Sequence, residues 1–164
     1  MKKTLKEFLE KNHACKDGFD FAKNLTLEEF LSTCERGDWI LWLFAKTNPN
    51  SLPELTLAKA HCANTVRELM KDERSIKAVD VAIAFGEGKA TRKELDAAAF
   101  AATFAADAAY ATAAYANAAY VAYATARAVS SLAGNAARKQ NEKQTADICR
   151  KYLPLEIWNQ NLII

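Results

Sequence analysis

The chain has 164 residues, of which 51% are hydrophobic and 26% charged, with a formal net charge of +2. That length fits one domain with a sizeable core, and the composition excludes a disordered chain. Lys and Arg are interleaved with Asp and Glu, so charge names no nucleic-acid partner; five glycines and three prolines are too few for the turns of an all-β fold.

The first residues, MKKTLKEFLEKN, have apolar positions alternating with charge and lack the continuous apolar stretch of a signal peptide. Four cysteines, Cys15, Cys34, Cys62 and Cys149, are scattered without tight spacing. They read as reduced thiols of a cytoplasmic protein.

Helix starts are marked by Ser or Thr with Glu three residues on, a pattern in which the two residues satisfy each other's free amides. Thr4–Glu7, Thr26–Glu29, Ser51–Glu54 and Thr91–Glu94 all fit. The first helix is expected over about 4–11, with Leu5, Phe8 and Leu9 inward. The second covers about 27–34, with Leu27, Phe30 and Leu31 inward, and the third about 39–46. A fourth runs over about 52–70, with Pro53 in its first turn and Leu55, Ala58, Cys62, Val66 and Leu69 recurring at helical steps. A fifth, about 73–85, carries Ile76, Val79 and Ile83. No alternating β-branched run appears, so the class is all-α: one multi-helix bundle over residues 1–164 with Ala-rich central helices.

Between the second and third helices lies CERGDWILWLF, residues 34–44. Arg36-Gly37-Asp38 reads as a stop-and-restart corner rather than a displayed adhesion loop. Gly37 is placed to take the left-handed conformation that ends a helix, and Asp38 to cap the next. Arg36 is left to solvent or to a carboxylate such as Asp96 or Asp107. Trp39 and Trp42, three residues apart, share one helical face and are expected in the core.

The Ala-rich tract, about residues 92–132, follows. Alanine favours helix, and no Gly or Pro interrupts it. Asp107 and Asn117 oppose a membrane span. Thr103, Thr112 and Thr125 lack the regular spacing of an ice-binding face. The tract therefore reads as tightly packed core helices in which small side chains let backbones approach. Its polar residues Asp96, Thr103, Asp107, Tyr110 and Asn117 fall in one quadrant of the helical wheel, a candidate polar groove. One unbroken helix would span about 60 Å, against a domain diameter near 40 Å. A break between Thr112 and Asn117 is expected, the alternative being one protruding rod. Gly134-Asn135 closes the tract, a last helix covers about 136–152, and Pro154 stops it. The apolar tail LEIWNQNLII either docks on the core or meets another chain.

Catalytic and metal chemistry find no signature. His13 with Cys15, and His61 with Cys62, match no common zinc framework. FGEGKAT lacks the phosphate-cradling glycines of a P-loop. Asp96 and Asp107 would stand about 16 Å apart on one helix, too far to act as an acid–base pair. No catalytic residue, metal site or cofactor is assigned.

Several segments together resemble the Imm5-like family of immunity proteins from bacterial polymorphic-toxin systems. They are CERGDWILWL (34–43), AFGEGKATRKELDAAA (84–99) with the tract after it, QTADICRKYLP (144–154) and HACKDGFDFA (13–22). The resemblance covers most of the chain in order. It implies an all-helical, non-enzymatic cytosolic protein whose partner is a cognate toxin, neutralised by occlusion. Two other readings stay open. One is a small-molecule or metal-binding helical protein using the polar groove Asp96, Thr103, Asp107 and Asn117, with the His/Cys pairs as further candidate ligands. The other is an oligomeric module joined through Ile157, Trp158, Leu162, Ile163 and Ile164.

Overall fold

The computed structural model describes residues 4–102 and 118–159. Eight α-helices pack together, with no strand among the described residues. They are α1 (Lys6–Lys11), α2 (Lys16–Ala22), α3 (Leu27–Thr33), α4 (Gly37–Thr47), α5 (Leu52–Asn64), α6 (Glu73–Gly86), α7 (Arg92–Ala102) and α8 (Ala118–Tyr152). Short 3₁₀ turns follow α5 at Arg67–Leu69 and α8 at Leu155–Ile157. No helix among the described residues is long and apolar enough to cross a membrane.

Two of the four expected reciprocal caps form. Thr26 N donates to Glu29 Oε2 at 2.9 Å while Glu29 N donates to Thr26 Oγ1 at 3.2 Å. Thr91 and Glu94 do the same at 2.7 and 3.3 Å. The other two do not. Leu5, not Thr4, stands at the head of α1, fully buried, with its amide given to Leu25 O at 2.9 Å. Core burial of Leu5 shifts the helix start past the threonine. Ser51 heads α5 at φ −97°, ψ 52°, away from the extended backbone from which a cap side chain reaches the free amides, and makes no cap bond.

Helix α2 is not expected from the sequence. KDGFDFA contains a glycine and buries only Ala22, so it shows no apolar stripe. The helix expected over 52–70 instead ends at Asn64. There Thr65 turns its hydroxyl back onto Cys62 O at 2.7 Å and accepts from Asn141 Nδ2 at 3.0 Å, and the chain tightens into the 3₁₀ turn.

Helix α4 is the centre of the fold. Ile40, Leu41, Leu43 and Phe44 are almost wholly buried, together with Leu5, Phe30 and Leu31, with Ala146 and Cys149 of α8 and with Leu153 just after it. The C-terminal half of α8 lies across both α4 and α5. Alanines let α5, α6 and α7 approach closely: Ala60 meets Ala82 and Leu95, and Ala78 meets Ala102. Gly134, at φ 82°, interrupts α8 where the tract was expected to end. The residues after it run helical to Tyr152, and Pro154 follows. The expected break between Thr112 and Asn117 lies outside the described residues.

The tail docks on the core as far as Asn159. Trp158 is 4% exposed, meets Phe44 edge-on at 5.0 Å and donates from Nε1 to Leu153 O at 2.9 Å. Asn48 holds it from α4's end, donating to Ile157 O at 2.7 Å and accepting from Asn159 N at 3.2 Å. Leu162, Ile163 and Ile164 lie outside the described residues.

Candidate functional site

The Arg36-Gly37-Asp38 corner is built differently from the sequence expectation. Arg36, in extended conformation, stands at the cap position of α4 without a side-chain cap bond. Gly37 is already helical and buried. Its glycine is needed for close approach, because a Cβ there would lie 2.5 Å from Thr145 Oγ1. Asp38 lies in the first turn and does not cap it; its carboxylate is held by Arg36. Arg36 Nε reaches Asp38 Oδ1 at 2.8 Å and Nη2 reaches Oδ2 at 2.5 Å. That ion pair holds the guanidinium more firmly protonated than usual. The guanidinium also lies over the Trp39 ring, 4.7 Å from its centroid. Arg36 therefore answers neither Asp96 nor solvent alone.

Trp39 and Trp42 are half-buried rather than core residues, and both open onto a concavity between α2 and α4. The hollow measures about 290 Å³. Its floor is Leu9, Ala22, Phe30 and Leu43; Arg36 and Asp38 form one wall, and Cys15 stands on its α2 side. Phe21, 39% exposed, lies 5.6 Å from Trp39 and 6.2 Å from Phe30, ring to ring, and extends the aromatic surface outward. Gly18 contributes no side chain. A Cβ there would stand 3.2 Å from Cys15 Sγ and 3.7 Å from the Trp39 ring, so glycine lets the α2 backbone lie close beside the indole.

Arg150, to which no local sequence signal points, locks this corner from behind. Its Nε donates to Leu31 O at 2.6 Å, its Nη2 to Cys34 O, and its Nη1 to Asp147 at 2.7 Å. Carbonyls freed at the end of α3 are thereby satisfied by a cation, which also suits the negative end of the helix dipole. Only the tertiary fold brings Arg150 to residues more than a hundred positions earlier.

The thiols divide into two environments. Cys15 is exposed, whereas Cys34, Cys62 and Cys149 are buried. Burial pushes Cys34 up to about 11 and raises Cys149 well above the ordinary thiol range. Cys62 and Cys149 lie 3.9 Å apart, sulfur to sulfur, and Cys149 points to Gly37 O at 3.7 Å. His61 stacks on Tyr152 at 4.2 Å, and its pKa is lowered by burial and by Lys151. His13 is exposed in a left-handed turn at φ 55°. The two His/Cys pairs thus sit in separate elements, and the described residues contain no group of three metal-ligating side chains.

Of the expected polar groove, Asp96 is exposed and paired with Arg92 at 2.8 Å. Thr103, Asp107, Tyr110 and Asn117 lie outside the described residues. The site the structure does assemble, from Arg36, Asp38, Trp39 and Trp42 with Gly18 and Phe21, comes from the corner motif and from the unforeseen α2. No family model, curated protein or solved structure matches this chain.

Proposed function

We propose that the chain is a non-enzymatic immunity protein that binds a cognate toxin and neutralises it by occlusion. The observation that carries this reading is the partly exposed cluster of Arg36, Trp39, Trp42 and Phe21 around one apolar hollow. Trp and Arg dominate the residues that supply binding energy at protein interfaces, and they do so around central, desolvated pockets. Here the cluster is held rigidly: Arg36 by two hydrogen bonds and by Trp39, the corner by Arg150. A preorganised face loses little conformational freedom on binding.

The sequence resemblance supports the same reading. Segments 34–43 and 144–154, on which it rests, meet in the fold as α4 against α8. They form a scaffold, and the aromatic cluster stands at its edge. A complex of ordinary size would bury about 1,600 Å² in all. Co-expression with each toxin-domain protein encoded in the same genome tests the reading. Cells carrying this chain should survive; equal killing with and without it would refute the proposal.

A small-molecule-binding protein is the second reading, favoured by the concavity itself, since ligand sites are concave and mostly apolar. The self-association reading retains Ile157, 37% exposed, while Trp158 is already buried on Phe44 within the same chain.

A further inference from the structure

We propose that the hollow between α2 and α4 receives one neutral aromatic side chain of the protein partner. The inference rests on the protein-binding reading above and names what that site takes. Four observations argue for it.

Size comes first. A cavity of about 290 Å³ is roughly twice the ~150 Å³ that suffices for benzene. It fits one large ring system with its connecting chain and little else. Shape and chemistry come second. The walls present Trp39, Trp42 and Phe30 to a planar guest, and aromatic rings gain about 0.5–1.5 kcal/mol over simple area burial when they meet edge-on or offset.

Charge comes third. The polar wall is an internally compensated pair: Asp38 takes two hydrogen bonds from Arg36, so the hollow offers no net charge to a guest. A carboxylate would meet Asp38, and an ammonium would meet Arg36. A neutral ring meets neither penalty. Nη1 of Arg36 makes no hydrogen bond among the described residues and remains as a donor for a hydroxyl or backbone carbonyl arriving with the ring. The fourth observation is Gly18. It lines the hollow without a side chain, and any larger residue would take up space at its edge beside the Trp39 ring. Phe21 and Cys15, both exposed, would then border the partner's surface around the inserted ring.

N-acetyl-tryptophanamide, a neutral capped amino acid, is the probe. Titrated into the full chain labelled with nitrogen-15, it should shift the resonances of Gly18, Arg36 Nε and the Trp39 and Trp42 indoles saturably. N-acetyl-lysine amide should not. The probe should also slow alkylation of Cys15, the exposed thiol, in the unmodified protein. Gly18→Leu fills the hollow with a better helix former. It should weaken probe binding at least tenfold, leave the thermal melt in place, and reduce protection against the co-expressed toxin at least tenfold. Protection by Gly18→Leu equal to that of the parent chain would overturn the anchor and leave the protein-binding reading standing. Killing unaffected by the parent chain would overturn both. An absence of probe effect on both the resonances and Cys15 alkylation would overturn the anchor by itself. Indole binding a hundredfold more tightly than the capped amino acid would assign the hollow to a free small molecule, and the proposal would fall.

Discussion

Gly37 of α4 and Thr145 of α8 touch so closely that a methyl group on the glycine would stand 2.5 Å from the threonine hydroxyl oxygen and 2.7 Å from its Cβ. The contact brings the two central helices together at the corner that carries the candidate site. Gly37→Ala should therefore cost about 1–3 kcal/mol through overpacking. Thr145→Ala should not fully rescue it, because the backbone carbonyl carbon of Thr145 lies only 2.8 Å from the same point. Urea unfolding of the two single variants and the double variant measures both effects.

Arg150 joins the end of α3 to α8. Arg150→Met should leave the Leu31 and Cys34 carbonyls without their charged donor and cost about 2–3 kcal/mol. Arg150→Lys should recover little, because one ammonium cannot reproduce the fork that reaches both carbonyls and Asp147. Chemical denaturation checks the order of the three proteins.

Lys59 of α5 is 5% exposed and makes no hydrogen bond or ion pair among the described residues. Burial lowers its amine from 10.5 to about 8. Below pH 8 both folded and unfolded states hold the proton, and the folded state bears the cost of desolvating the charge. Between pH 8 and 10.5 the folded amine is neutral while the unfolded one remains protonated, so the lysine's destabilisation is relieved as pH rises, by roughly 3 kcal/mol at most. Lys59→Met should thus be more stable than the parent chain at pH 7, and the difference should shrink toward pH 10.5. Thermal melts of both proteins across that range give the comparison; a constant difference would exclude a shifted lysine.

The helix caps provide an internal control. Thr26→Ala and Thr91→Ala should each cost about 1 kcal/mol, because both side chains accept a backbone amide. Thr4→Ala and Ser51→Ala should cost less than ~0.5 kcal/mol, since α1 and α5 carry no side-chain cap bond. Differential scanning calorimetry of the four variants separates the pairs.

That contrast also marks how far the sequence could be read. The all-helical class, the ranges of α3, α4 and α6, and the break at Gly134 follow from apolar spacing and from glycine chemistry, which are local. Capping boxes were visible at four places, but tertiary burial of Leu5 and the backbone angle at Ser51 cancelled two of them. Helix α2 was hidden because KDGFDFA has no stripe to bury. Gly37 and Asp38 mark a corner in the sequence, yet neither acts there as the cap its residue type suggests. Helix contact at Thr145 explains the glycine, and Arg36 claims the aspartate. Neither partner choice is written in the neighbouring residues. The aromatic hollow shared this fate, since Trp39 and Trp42 announce an apolar face but not the glycine-bearing helix that leaves it open.

Mixing the purified chain with the toxin it protects against in co-expression, and following both complex mass by light scattering and residual toxin activity, tests occlusion most directly. The account predicts one stable complex in which toxin activity disappears in proportion to complex formed, and in which Trp39→Ala lowers both together. A fully active toxin within the complex, or no complex at micromolar concentrations, would contradict it.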